Sequence, residues 1–457
     1  MQKMKNGKKV LSVCLSLAMA AGMLSTSAFA SWNVYGGSNN HNAVVTEAPT
    51  ATDASGLDSY IPLHCTGSGW DGVDNVPVLQ TVNGTTYAYV LYDGYGASGA
   101  LVAKIRCAEN GGSSIVWTTD PYGTEGTSLN AKSGFQLSTP YLDDKGTPDD
   151  ASDDTLYVGT ISQYDDYEGG EWLTGTGSKV MALTGLDQNK PTVTNVLTGI
   201  NGQINTPITT DGTYLYFGTW PGGSRAGTYY QVKLSDYSVK TFTPDSYGFY
   251  WAGAVSDGTN VYFGSDNGLL YWRSIADFDT TGGVLDLTDV ASDAGNVRST
   301  VMLDDGYLYF TTQGGYLWCC SYDDGLTVEW HKKLGATSTS TPTKVGDRIY
   351  VGDYSGFNAG GVQCVSADGS SVKTVVEGDG FPVQSSIVVM GDGTGTDYLY
   401  FNTNAQKGVG YCYSYDGTTG SQVWGTTGDT YALGGMAIDN GYAVFGNDYN
   451  HLYVVHD

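Results

Sequence analysis

Leu215-Tyr216-Phe217-Gly218, near the middle of the chain, returns as Val261-Tyr262-Phe263-Gly264 and again as Leu308-Tyr309-Phe310-Thr311. The segment recurs upstream as Tyr87-Ala88-Tyr89-Val90 and Leu156-Tyr157-Val158-Gly159. Downstream it recurs as Ile349-Tyr350-Val351-Gly352, Leu399-Tyr400-Phe401-Asn402 and Ala443-Val444-Phe445-Gly446. Anchored at 89, 157, 216, 262, 309, 350, 400 and 444, the copies lie 41 to 68 residues apart, about 51 on average, the length of a four-stranded propeller blade.

Each copy has the same internal order. A short, small and polar strand comes first, as in Asn205-Thr206-Pro207-Ile208 or Ser340-Thr341-Pro342-Thr343, and a tight turn such as Asp211-Gly212, Asp257-Gly258 or Asp305-Gly306 leads into the Tyr strand. A third, alternating strand follows, as in Gly315-Tyr316-Leu317-Trp318-Cys319-Cys320, then a fourth that carries Trp117, Trp330 or Trp424 in three copies. Alternation at this turn density predicts antiparallel meanders and leaves no room for βαβ units. Composition agrees: 65 Gly and 35 Tyr in 457 residues disfavour helix, and 40% hydrophobic residues disfavour disorder. Sheets of this kind bury both faces only when set radially, so the predicted fold is all-β, an eight-bladed propeller of four-stranded antiparallel blades closed by pairing of N- and C-terminal strands. The last copy stops after its third strand, His451 to Val455, and Trp32 near the start stands where a fourth strand would carry Trp. Residues 31–36 are therefore expected to pair beside 451–456.

Residues 1–30 read as a secretory signal peptide: Lys3, Lys5, Lys8 and Lys9 precede the apolar run Val10 to Leu24, and Ala28-Phe29-Ala30 supplies small residues for cleavage before Ser31. Residues 31–457 then form one propeller, secreted or held in the cell envelope, with acidic loop insertions at 143–154 and 164–172. No later stretch is apolar enough to suggest a membrane span. The chain carries a net charge of −26; without the four signal lysines, 17 cationic residues face 47 acidic ones, a net −30. That charge disfavours nucleic acid and anionic lipid as partners. Between Asp143 and Glu171, ten acidic residues face only Lys145. The stretch reads either as a solubilising loop or as a Ca²⁺ site built from Asp149, Asp150, Asp153 and Asp154.

Ser414-Tyr415-Asp416-Gly417-Thr418-Thr419-Gly420-Ser421-Gln422-Val423-Trp424 resembles the tryptophan-docking motif of propellers of the pyrroloquinoline-quinone (PQQ) type, A-x-D-x-x-T-G-K-x-x-W, with Ser in place of Ala and of Lys. In that motif Asp416 and Thr419 bond turn amides, Gly420 takes a turn conformation and Trp424 packs on the next sheet. The copy from Cys107 to Trp117 keeps the length, with Glu109 for Asp and Ser113 for Gly, and the copy ending at Trp330 is one residue short. The resemblance implies two functional classes: quinoprotein alcohol dehydrogenases, which hold PQQ and Ca²⁺ on the propeller axis, and cofactor-free scaffolds such as the outer-membrane assembly lipoprotein. The expected axis-lining positions, near Val76, Thr139, Thr206, Ala252, Ser299, Thr341, Ser385 and Gly435, supply small and hydroxylic residues with Arg298 and Lys344 nearby and no recurring acid. PQQ chemistry is therefore not expected.

Other catalytic signatures fail. The five histidines show no metal spacing, no G-x-S-x-G occurs, and Gly94 to Gly99 matches G-x-G-x-x-G but runs into the strand-like Ala100-Leu101-Val102-Ala103-Lys104-Ile105. The adjacent Cys319 and Cys320 fall within a strand and point to opposite faces, while Cys319, Cys364 and Cys412 occupy equivalent places in consecutive blades. They read as buried packing residues; Cys65 and Cys107 are candidates for a disulfide, which spacing does not choose. Trp70, Trp172, Trp220 and Trp251 sit in turns or at strand starts beside Gly, where their rings either stack on a sugar or peptide or fill gaps between blades. With Arg298 they are the candidate ligand-binding residues. The sequence thus points to a secreted non-enzymatic scaffold presenting a loop-built face to a cell-surface or secreted protein or to a polysaccharide, with a PQQ- and Ca²⁺-dependent oxidoreductase and a carbohydrate-binding module as alternatives.

Overall fold

Asp211 shows why Asp-Gly turns and Tyr strands recur together. Its Oδ1 accepts from the amides of Thr213 and Tyr214, both at 2.8 Å, while its Oδ2 accepts from the Tyr216 hydroxyl at 2.8 Å. Asp257 does the same for Thr259, Asn260 and Tyr262. Gly212 and Gly258 follow with φ of +86° and +87°, a region glycine enters without steric cost. One carboxylate therefore sets the hairpin and anchors the buried ring of the strand it starts.

The computed structural model describes residues 31–63, 72–93, 100–120, 126–129, 138–161, 164–168, 171–174, 176–323, 325–428 and 430–457. The signal peptide reading, Cys65, Trp70 and the Gly94–Gly99 motif lie outside these residues. Every Tyr-centred segment forms the second strand of a blade of four antiparallel strands in 1-2-3-4 order, and the blade that begins at Val388 carries a fifth, parallel strand, Val44–Val45, on its inner edge. The blades begin with Val78–Val82, Tyr141–Asp143, Thr209–Thr210, Val255–Ser256, Met302–Asp304, Thr343–Val345, Val388–Met390 and Ala437–Asp439, numbered here 1 to 8. Second strands are almost wholly buried, as in Leu215 to Gly218, whereas the outer strand Thr327–Lys333 alternates exposed and half-buried. The described residues hold no α-helix and no helix long and apolar enough to cross a membrane.

The core is divided among the gaps between blades. Leu79, Val90, Tyr400, Trp424, Val444 and Leu452 belong to one cluster that joins blades 7, 8 and 1, and six further clusters fill the remaining gaps. The ring is closed, but by a different segment from the one expected. Ile61–Pro62 supplies the fourth strand of blade 8, pairing antiparallel with Leu452 and His451, and Ser55 bridges His456. Residues 31–36 lie along the inner edge of the ring instead, so Trp32 is not a fourth-strand Trp: it is 3% exposed, packs against Gly37 and joins the core cluster of blades 7, 8 and 1. A two-residue strand carries almost no periodic signal, and Trp32 imitated the pattern of the other blades.

The acidic segment near 164–172 is a hairpin, Tyr164–Glu168 paired with Glu171–Thr174, rather than a loop. The strand Ala100–Arg106 does follow the G-x-G-x-x-G match. Cys319 and Cys320 fall in different clusters on opposite faces, and Cys319, Cys364 and Cys412 stand opposite Tyr309, Tyr350 and Tyr400 in register. Cys107 is a free buried thiol, and burial pushes it up to about 12.

Candidate functional site

The N-terminal segment 31–45 runs along the inner edge of the ring as a strap, bonded to blades 1, 2, 4, 5, 6 and 7. An innermost strand leaves one row of amides without a partner in its own sheet, and buried amides need acceptors. The carbonyls of Trp32, Asn33, Asn40 and Ala43 accept from Leu79, Leu142, Leu303 and Val389 in blades 1, 2, 5 and 7, at 2.8–2.9 Å. The Asn42 side chain bonds both the amide and the carbonyl of Lys344 in blade 6. Val34 packs into the gap between blades 2 and 3, and Val44–Val45 adds a parallel strand to blade 7. His41 is fully buried at φ +60°, its Nδ1 2.9 Å from the Tyr35 carbonyl and its Nε2 2.7 Å from that of Ala254 in blade 4. Burial lowers its pKa despite the two carbonyls.

Small hydroxylic residues expected on the axis stitch neighbouring blades. Thr139 Oγ1 accepts from the Val76 amide, Ser138 Oγ donates to the Thr206 carbonyl, and Thr341 Oγ1 accepts from the Thr300 amide. On the strand-start side of the strap these residues enclose a cavity of about 70 Å³. Tyr35 of the strap contributes to its lining, with its hydroxyl 3.0 Å from Thr341 Oγ1. Every blade contributes: Val76, Thr139, Asn205, Trp251, Thr300, Thr339, Ser385 and Gly435 all line it.

Of the five ligand-binding candidates, Trp220, Trp251 and Arg298 come together at this end of the axis. Tyr250 links them: its ring meets Trp220 edge-on at 5.1 Å and Trp251 at 4.7 Å, and the Arg298 guanidinium lies 4.4 Å above it. Arg298 also forks onto Asp266, with Nε to Oδ1 and Nη2 to Oδ2 both 2.7 Å, while Trp220 Nε1 donates to Asp266 Oδ2. Burial pulls the guanidinium pKa down, and the bonds and charge of Asp266 outweigh it and raise it. The loop is shaped by Trp251 at φ +57° and by Gly248, where a Cβ would come within about 3 Å of Pro221 and Thr219. Arg298 and Trp251 line the cavity; Trp220 stands one ring behind. Trp172 is described only as strand backbone opposite Tyr167.

The acidic candidates do not converge. Asp149 accepts from the Asn83 amide, Asp150 from Ser152, Asp153 from Thr147, and Asp154 from Gln80, so each serves its own loop or the next blade. Among the described residues no three acidic, His or Cys side chains gather as a metal site.

The docking residues behave as one system. Asp416 Oδ1 accepts from the amides of Thr418 and Thr419 at 2.8 Å, whereas the Thr419 side chain shows no such bond. Gly420 is required by proximity rather than by a turn conformation, because a Cβ there would meet the Val375 carbonyl of blade 6 at 2.2 Å. Trp117 Nε1 donates to Leu186 O, in the turn before the fourth strand of blade 2, and Trp330 packs over Gly369 in the equivalent turn of blade 6. Trp424 Nε1 donates to Pro49 O at 2.9 Å, where the returning N-terminal chain stands in for the missing turn of blade 8.

Sequence reading missed Asn75, Asn205, Tyr250 and Asp266. Asn75 and Asn205 precede the first strands of blades 1 and 3, where blades 2, 5, 6 and 7 carry Ser138, Ser299, Ser340 and Ser385, and that substitution was the available signal.

Comparison with known proteins supports the fold alone. No family model matches the chain, and no curated protein matches it. Among solved structures, a europium-containing methanol dehydrogenase superposes with a TM-score of 0.60 at 12% identity, over 91% of this chain and 89% of its own. Quinohemoprotein alcohol dehydrogenase from Comamonas testosteroni gives 0.57 at 10%, over 91% and 76%. BamB from Moraxella catarrhalis gives 0.51 at 14%, over 88% and 99%. The chain is thus an eight-bladed propeller similar in architecture to quinoprotein dehydrogenases and to BamB alike.

Proposed function

We propose that the protein is a secreted, non-enzymatic scaffold whose rigid ring presents the strand-start face to a cell-surface or secreted protein or to a polysaccharide. The observation that carries this reading is the build of the axis. A quinone cofactor needs a pocket of roughly 300 Å³ or more, and the cavity offers about 70 Å³ above the strap. The cation that lines it among the described residues, Arg298, is forked onto Asp266 instead of facing an open anion site. The residues present do not fit PQQ. Rigid sheets holding loops in fixed positions are what a binding face requires.

The test is to supply the purified protein with PQQ, Ca²⁺ and a dye acceptor over a panel of alcohols. The expected result is no dye reduction above the protein-free control. Alcohol-dependent turnover that saturates with PQQ would replace the scaffold reading with the oxidoreductase.

A further inference from the structure

We propose that the axial cavity is a dead-end socket for the terminal ring of a neutral, hydroxyl-rich glycan. This deepens the binding-face reading and rests on it. Asn205 is 2% exposed, and neither its Nδ2 nor its Oδ1 has a partner among the described residues; the same holds for Asn75 Oδ1 and Ser385 Oγ. All three residues line the cavity. A buried polar atom left unpaired costs about 1–3 kcal/mol, so native proteins rarely retain several around one space.

The chemistry of the set selects the ligand. Two amides and a hydroxyl offer donors and acceptors together, which matches groups that both give and receive a hydrogen bond, as sugar hydroxyls do. An anion is disfavoured because the carboxylate of Asp74 lines the cavity and Arg298 is already paired. The indole of Trp251 gives the wall an apolar, electron-rich surface suited to the C–H face of a sugar. By volume the cavity admits about five water-sized groups, at 10–15 Å³ each. That suffices for the hydroxylated edge of one pyranose and not for a chain passing through. The strap, with Tyr35 at the cavity wall, lines the inner edge beyond it, at Leu79, Leu142, Leu303 and Val389. A glycan therefore enters by its end, and its following units lie towards Tyr250 and Trp220.

The experiment titrates the full mature chain with neutral oligosaccharides ending in glucose, galactose, mannose or N-acetylglucosamine, read by tryptophan fluorescence and calorimetry. At least one is expected to bind with a Kd of about 1 mM or tighter, and the same oligosaccharide capped at its non-reducing end is expected not to bind. Asn205→Ala and Trp251→Ala should each weaken binding about tenfold or more, and Asn205→Ala should melt no lower than the parent, because it removes an unpaired group. Lower thermal stability of Asn205→Ala with unchanged binding would overturn the proposal and make Asn205 structural. So would a cavity that keeps only ordered water in crystals grown with the saccharides. If no saccharide binds while a protein partner from the cell surface is still captured by parent and variants alike, the socket fails and the scaffold reading stands.

Discussion

Trp424 shows how one side chain fastens two blades. The indole is 2% exposed, rests beside Tyr400 in its own blade, and gives its N–H to the Pro49 carbonyl of the chain returning to blade 8. Trp424→Ala removes both the packing and the bond at the seam, and the expected loss is about 3–5 kcal/mol, measured as the shift in denaturant midpoint at constant slope. An unchanged midpoint would show that the seam does not depend on this anchor. Part of this was legible in the sequence: the Asp416 turn and the Trp positions follow from a local motif, since an Asx turn is written within four residues. The role of Gly420 was not, because the constraint comes from Val375 on another blade, and one sequence does not reveal which backbone approaches from outside.

The N-terminal segment is the element on which the ring depends most. It first lines the inner edge of the ring and then returns to complete blade 8, so a single stretch of about 30 residues does the work of a strap and of a clasp. A chain beginning at residue 46 keeps the clasp and loses the strap. It strips acceptors from the buried amides of Leu79, Leu142, Leu303 and Val389, at about 1–3 kcal/mol each. The expected outcome is a protein with native-like far-UV circular dichroism but early, non-cooperative melting, and a synthetic peptide of residues 31–45 should restore cooperativity. Full stability without the peptide would show that the strap is dispensable. The eight blades were legible because each repeats a Tyr strand with its turn, a signal that self-comparison amplifies. The strap was not, since it has neither repeat nor alternation: its bonds run through carbonyls that every residue possesses. The candidate ligand site was half legible for the same reason. Trp220, Trp251 and Arg298 stand out by type, whereas Asn75 and Asn205 gain meaning only when eight strand starts meet on one axis.

At the scale of the whole molecule, charge and closure meet at Asp439. This first-strand residue of blade 8 accepts from Thr81 Oγ1 of blade 1 at 2.8 Å, across the seam between the first and last blades. Burial pushes its carboxyl up to about 6, despite the Thr81 bond that works against the shift, and Asp154 between blades 1 and 2 is likewise raised to about 6, mainly by burial. An acid with a raised folded pKa holds its proton longer in the native state than in the unfolded one, whose value is near 4. Its contribution is fully present below about 4 and is lost as pH rises through about 6. The melting temperature should therefore rise as pH falls from 7.5 to 5.5. Two other effects overlap this one: the net charge of −26 repels itself less on acidification, and buried His41, with its pKa lowered, loses its contribution as pH falls below about 6.5. Salt separates the first, because at 1 M the Debye length is about 3 Å and long-range repulsion vanishes while a buried carboxyl is little screened. Asp439→Asn separates the second, since His41 is common to variant and parent. In 1 M salt the variant is expected to be more stable than the parent at pH 7.5, with the difference shrinking steadily towards pH 5. A difference that stays constant over that range would mean that Asp439 does not titrate at the seam, and that the acid response of the ring belongs to its other groups, Asp154 and His41 among them.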